Sequence, residues 1–185
     1  MTRVKIISIL TIMFFGLTLT TDAAPFRQQQ SSEQQSSIFS LSPFERAVCC
    51  IKYYEGMHRR KDYPYVGYGH KLKAGEHYSS NMSLKEADLL LRKDLTSLCN
   101  LFSKYGKDSL PLAALAYNVG PYRVMGLKGK YPKSNLLKKI EVGIRDFKDD
   151  YVEFCHWKGK RVASIERRRY AEYQLLYGDL YKLKF

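Results

Sequence analysis

Glu55, followed at once by Gly56, is a carboxylate placed where it could do chemistry. Cleavage of a glycosidic bond is one reaction that uses such a group. One carboxylic acid holds its proton until the leaving oxygen takes it, and the second group serves as base, nucleophile or electrostatic partner. Glu55 closes an apolar-spaced helical segment, where free carbonyls leave partial negative charge, and Tyr53 and Tyr54 stand beside it to limit solvent. Both effects disfavour the ionised form. A solvated residue closing a helix accounts for Glu55 equally well on these grounds alone.

Other chemistries find less support. Cys155-His156 has no second ligand pair at zinc-finger spacing, and the remaining histidines are scattered at 58, 70 and 77, so no metal and no cofactor is expected. Cys49 and Cys50 are neighbours on a helix and point about 100° apart. They cannot face one partner, which leaves either a single bridge among Cys49, Cys50, Cys99 and Cys155 or free buried thiols. Arg167, Arg168 and Arg169 form a charge run that reads as a solvated helix face with at least one member turned inward.

These residues need elements to position them. Ser42-Pro43-Phe44-Glu45 opens a helix, with a cap, a proline in the first turn and an acid at its third position. Phe44, Val48 and Ile51, with Ala47 and Tyr54 beside them, then keep helical spacing up to Gly56. Residues 62–72 (DYPYVGYGHKL) mix aromatic and β-branched residues with Pro and Gly, which predicts a tight β-hairpin. Ser83 to Glu86 is a second capping box, opening a helix with Leu84, Ala87, Leu91, Leu95, Leu98 and Phe102 on one face and an outward Asp88–Arg92 pair. From Leu110 to Val119 the chain is apolar almost all round, so this helix is expected at the centre, with Asn118 its lone polar residue. Further helices are expected over Ser134–Val142, Asp146–Phe154 and Ser164–Tyr177. The expected class is α+β, mostly α, with a small hairpin lobe between the first two helices of a helical domain.

The 185 residues have room for one such domain and a leader. Arg3 and Lys5 precede an uncharged run from Ile6 to Thr20 and small residues near Ala23, which predicts a signal peptide over 1–23. An uncleaved single anchor is the alternative, but the run is short for a membrane span and no second one follows. Residues 24–40, rich in Gln and Ser, read as a flexible linker, and 41–185 as the folded domain. The net charge of +13, one lower after loss of 1–23, attracts polyanions. An exported protein meets anionic wall polymers and membrane surfaces sooner than nucleic acid. The expectation is a secreted or periplasmic monomer without a nucleic-acid partner.

IKYYEGMHRRKDYPYVGYGHKL resembles the catalytic region of phage-type lysozymes, glycoside hydrolase family 24: a helix ending in Glu-Gly, a basic stretch, then a hairpin ending in Gly-x-Gly-His. MSLKEADLLLRKDL, LAALAYNVG and RVASIERRRYAEYQLLYG resemble later helices of that family in the same order. The resemblance covers nearly all of residues 42–178 and implies a lysozyme-like fold that acts on peptidoglycan. It places the catalytic acid at Glu55 and puts Gly67, Gly69, His70 and Asn118 at the substrate groove, with Ser134 as a further groove candidate. His70 has a second reading, a structural pairing with Asp94. After its glutamate the family carries an Asp or Cys and then a Thr at set spacings, and here these land on Pro64 and His70. Counted back from the hairpin end, the Thr position is Tyr65 and the nearest carboxylate is Asp62, which either takes the second catalytic role from a different backbone position or is a turn residue before Tyr63-Pro64. The implied reaction is hydrolysis of the β-1,4 bond between N-acetylmuramic acid and N-acetylglucosamine. If Asp62 is idle, a lytic transglycosylase acting on the same bond is the alternative. A non-catalytic wall-binding protein and a membrane-active basic protein are the readings from other classes.

Overall fold

The computed structural model describes residues 38–182, with side chains through 178. The expected signal peptide and most of the expected linker lie outside the described residues. Helix α1 (Pro43–Glu55) starts as its sequence dictates: the Ser42 hydroxyl accepts from the Glu45 amide at 3.3 Å, and Pro43 occupies the first turn. It buries Ala47, Val48, Cys50 and Ile51, together with Arg46. The Arg46 guanidinium donates to the carbonyls of Phe39, Leu41 and Leu175, at 3.0, 3.0 and 3.2 Å. Phe39, inside the stretch expected to be a tether, is thereby fastened to the domain. Gly56, with φ of 65°, ends the helix, a conformation that costs glycine little.

Strands β1 (Tyr65–Val66) and β2 (His70–Lys71) pair antiparallel, Tyr65 opposite Lys71 and Val66 opposite His70, as the 62–72 pattern predicts. Helix α2 (Leu84–Leu101) begins with the full capping box of Ser83 and Glu86. Its buried stripe is Ala87, Leu90, Leu91 and Leu95, with Phe102 beyond its end. Leu84 is 67% exposed, against expectation, because no described residue covers it at the first turn. Leu98 is half-buried.

Helix α3 (Ser109–Val119) lies at the centre, packed against α1, α2 and the last helix, and buries Pro111 through Ala116 without interruption. Short helices α4 (Pro121–Met125), α5 (Asn135–Glu141) and α6 (Lys148–Val152) follow, then α7 (Ala163–Lys182). The helix expected over Asp146–Phe154 shrinks to α6. A second hairpin, β3 (His156–Trp157) with β4 (Lys160–Arg161), succeeds it. Its turn residues, Lys158 and Gly159, have φ of 50° and 75°, the pair of positive values that a two-residue hairpin turn takes. The main core joins α1, α2, α3 and α7. A smaller one, Val66, Met82, Ala87 and Leu90, fixes the first hairpin to α2. The result is a mostly helical α+β domain with its small lobe between α1 and α2.

All four cysteines are free; Cys50 and Cys155 are buried as the thiol alternative expects, whereas Cys99 is half-buried and Cys49 exposed. Burial, and then the Glu172 carboxylate, pushes the Cys50 thiol up to about 12. No helix among the described residues is long and apolar enough to cross a membrane.

Candidate active site

Three helices converge on Glu55. The C-terminal end of α1 delivers the carboxylate, half-buried, and the end of α3 delivers Asn118, whose Nδ2 donates to Glu55 Oε1 at 3.0 Å. From α7, Arg168 Nη1 donates to the same oxygen at 2.7 Å. The Arg168 Nε donates to Glu172 Oε1 at 2.7 Å, while Arg169 bridges the other Glu172 oxygen and the side-chain carbonyl of Asn118. Because Arg169 takes that carbonyl, the Asn118 amide group is left pointing at Glu55. Glu172 is 1% exposed and Arg169 fully buried, so each charge has its partner inside the protein. Burial works against the Arg168 charge, but the carboxylates of Glu172 and Glu55 outweigh it and hold the guanidinium charged. Of the charge run, Arg168 and Arg169 turn inward and Arg167 stays exposed.

This surrounding differs from the one its neighbours in sequence imply. Tyr53 is 81% exposed and shields nothing. Tyr54 is half-buried, and its ring carries the Arg168 guanidinium at 5.4 Å. Both donors meet Oε1, and among the described residues none bonds to Oε2. That oxygen faces the hairpin, where a Cβ on Gly69 would sit 3.7 Å away. One oxygen is therefore held in place by charge and hydrogen bonding, and the other is open toward the hairpin.

A cleft of about 190 Å³ opens here, lined by Glu55, His58, Tyr65, Gly69, Tyr117 and Asn118. Tyr117, whose hydroxyl burial pushes up, donates to the Tyr68 carbonyl at 3.0 Å and ties α3 to the hairpin. Glu55, Tyr65, Gly69 and Asn118 are thus brought together. The other sequence candidates are elsewhere. Asp62 accepts from the Arg59 amide at 2.8 Å and closes a short 3-10 turn over Arg60–Asp62, outside the cleft lining. Gly67 faces the small core, where a Cβ would lie 3.0 Å from Met82 Sδ and 3.3 Å from Ala87 Cβ, so its smallness serves packing. His70 is buried between two carboxylates, Nδ1 at 2.6 Å from Asp94 Oδ2 and Nε2 at 2.9 Å from Glu76 Oε2, which is the structural pairing with one partner added. Ser134 caps α5, its hydroxyl accepting from the Leu137 amide at 3.2 Å.

Sequence reasoning passed over His58 and Tyr117, although one lies just beyond Glu55-Gly56 and the other adjoins Asn118. A larger cavity of about 350 Å³ lies on the small lobe between His77, Tyr78, Met82, Leu89 and Lys93. Its acid, Glu86, is already engaged by the Ser83 amide in the capping box. Among the described residues no group of three or more His, Cys, Asp or Glu could hold a metal.

No curated protein matches the chain. The family model described as phage lysozyme matches residues 52–172, from the last turn of α1 to Glu172, well over half of the chain. That span contains Glu55, both walls of the cleft and the α7 ion network, and the chain belongs to the phage lysozyme family, whose members cleave peptidoglycan.

Proposed function

We propose that the protein hydrolyses the β-1,4 bond between N-acetylmuramic acid and N-acetylglucosamine in peptidoglycan, with Glu55 as general acid. The observation that carries this reading is the asymmetry of the Glu55 carboxylate. Oε1 is pinned by Arg168 at 2.7 Å and Asn118 at 3.0 Å, and Oε2 is open at the cleft. A proton on Oε2 is aimed by the two contacts on Oε1, and as it leaves for the glycosidic oxygen, the Arg168 charge stabilises the carboxylate that remains. Tyr65, Gly69 and Asn118 would meet the sugar. The basic surface draws the enzyme to anionic wall polymers. Export through residues 1–23 would bring it there, as a monomer, and fractionation of expressing cells tests that step.

One observation favours a second reading. Glu55 is the single carboxylate lining the cleft among the described residues, and a lone acid suits a lytic transglycosylase. Digestion of purified peptidoglycan separates the possibilities. Hydrolysis leaves reducing ends and transglycosylation leaves anhydro ends, and Glu55→Gln is expected to lower either rate by at least about 100-fold. Wall binding without any product from the wild type would refute the enzyme reading.

A further inference from the structure

We propose that His58 is the second catalytic group: its imidazole takes a proton from the water that attacks the anomeric carbon. The inference rests on the glycan-cleaving reading above and names the partner which that reading leaves open.

His58 lines the same cleft as Glu55. Gly56 turns the chain out of α1 with φ 65° and ψ 176°, so the residue just beyond returns to the site the helix has just built. The His58 amide then donates to the Gly67 carbonyl at 2.7 Å, fixing its backbone to the hairpin, and its ring lies beside that of Tyr65 with centroids 6.0 Å apart. The position is therefore set by backbone and ring contacts, not by a polar partner of the imidazole. The ring nitrogen Nδ1 is buried and has no hydrogen-bond partner among the described residues. Buried polar atoms are normally paired, and an unpaired one on a ring that lines a cleft leaves that imidazole uncommitted to the protein.

Two of the other histidines, His70 and His156, show the contrast. His70 has both ring nitrogens committed to carboxylates, and His156 Nδ1 lies 3.0 Å from the Glu153 carbonyl. Asp62, the carboxylate nearest the hairpin in sequence, holds the Arg59 amide and does not line the cleft. A neutral imidazole has one lone pair, which is what a general base needs.

The step balances as a single displacement. The proton on Glu55 Oε2 passes to the bridging oxygen, and the bond from that oxygen to the anomeric carbon breaks with its electron pair going to oxygen. Water bonds to the anomeric carbon while one of its protons moves to the imidazole. His58 then releases that proton to solvent, Glu55 takes one back, and one water is consumed. No covalent glycosyl-enzyme forms, so the new reducing end has inverted configuration.

The test compares the wild type with Glu55→Gln, His58→Ala, His58→Gln and Asp62→Asn on peptidoglycan and on soluble glycan fragments. If the wild type yields no product, the glycan-cleaving reading itself fails and this assignment falls with it. With an active wild type, His58→Ala is expected to lose about 100- to 10,000-fold in kcat while still sedimenting with the wall. Azide, a nucleophile that needs no deprotonation, should restore turnover in that variant and appear as glycosyl azide. His58→Gln, of similar size and unable to act as a base, should show the same loss and rescue, and decides the matter if the alanine variant melts early. Asp62→Asn is expected to lose at least tenfold less than either. A kcat within a few-fold of wild type, a loss that azide does not rescue, anhydro or retained-configuration products, or a larger loss in Asp62→Asn would each overturn the assignment.

Discussion

On the helical side of the cleft, Glu55, Asn118, Arg168, Arg169 and Glu172 come from three helices far apart in sequence and are joined by charge-assisted contacts that run from the cleft into the interior. On the hairpin side, His58, Tyr65 and Gly69 come from one short stretch, held by backbone hydrogen bonds and a four-residue apolar core. The first side has little freedom, since moving Arg168, Arg169 or Glu172 leaves a charge unpaired in the interior. The second is shaped by turn geometry, and glycine is what makes its close approaches possible. The contrast teaches a division of labour: the Glu55 carboxylate is positioned by the global fold, while the facing wall of the cleft is set by local backbone shape.

The sharpest way to break this comparison is at Glu172. Glu172→Ala leaves Arg168 and Arg169 buried without their shared carboxylate. The expected cost is about 3–5 kcal/mol, read as a fall in the urea midpoint, with activity lost alongside. A fall below about 1 kcal/mol would show that the helical side is not held by this network.

A smaller effect is expected across the cleft. Gly67→Val places a Cβ against Met82 Sδ at 3.0 Å and forces a branched residue to φ of +56°. Overpacking of this kind costs about 1–3 kcal/mol, and a thermal melt measures it. An unchanged melting temperature would mean that the small core yields freely.

Asn118→Ala should separate positioning from stability. It removes the 3.0 Å donor on Glu55 Oε1. Loss of a hydrogen bond to a charged group corresponds to about 1.5 kcal/mol, roughly tenfold in kcat. Steady-state kinetics on soluble glycan would show this as a kcat change with KM nearly constant. A change confined to KM would recast Asn118 as a residue that only binds sugar.

The smallest effect is a pH response of the hairpin lobe. The Lys73 amide and the His70 ring hold the Glu76 carboxyl below its ordinary 4.5, and the Ser83 amide and hydroxyl do the same for Glu86. A carboxyl lowered by folding contributes its full stability above the unfolded value and loses it as pH falls through and below 4.5 toward the folded value. Denaturation midpoints followed from pH 7 to 3 should therefore decline only in the lower part of that range. Glu76→Gln should shallow that decline, and an equal decline in the variant would remove Glu76 from the account.

Much of this architecture was legible because its signals are local. Ser42 and Ser83 announce their helices by the spacing to Glu45 and Glu86, and the run from Leu110 to Val119 has too little polar surface to lie anywhere but the centre. The His70–Asp94 pairing was legible too, since a hairpin-end histidine beside an apolar helix needs a carboxylate. The second hairpin over 156–161 was not, because a Lys158-Gly159 turn between exposed pairs leaves no periodic pattern. Leu84 and Tyr53 were misplaced because periodicity names a face without saying what covers it.

What the sequence determined by itself was the order of elements, the family pattern around Glu55, and the presence of Asn118 and an arginine run. Each follows from spacing along one helix or turn. Only the tertiary structure decided which arginines turn inward, that Asp62 spends its carboxylate on its own turn, that Gly67 packs while Gly69 approaches the acid, and that His58 faces the cleft. Those outcomes depend on side chains from distant segments competing for the same buried space and the same hydrogen-bonding oxygens. That competition has no imprint on the spacing of residues in the chain.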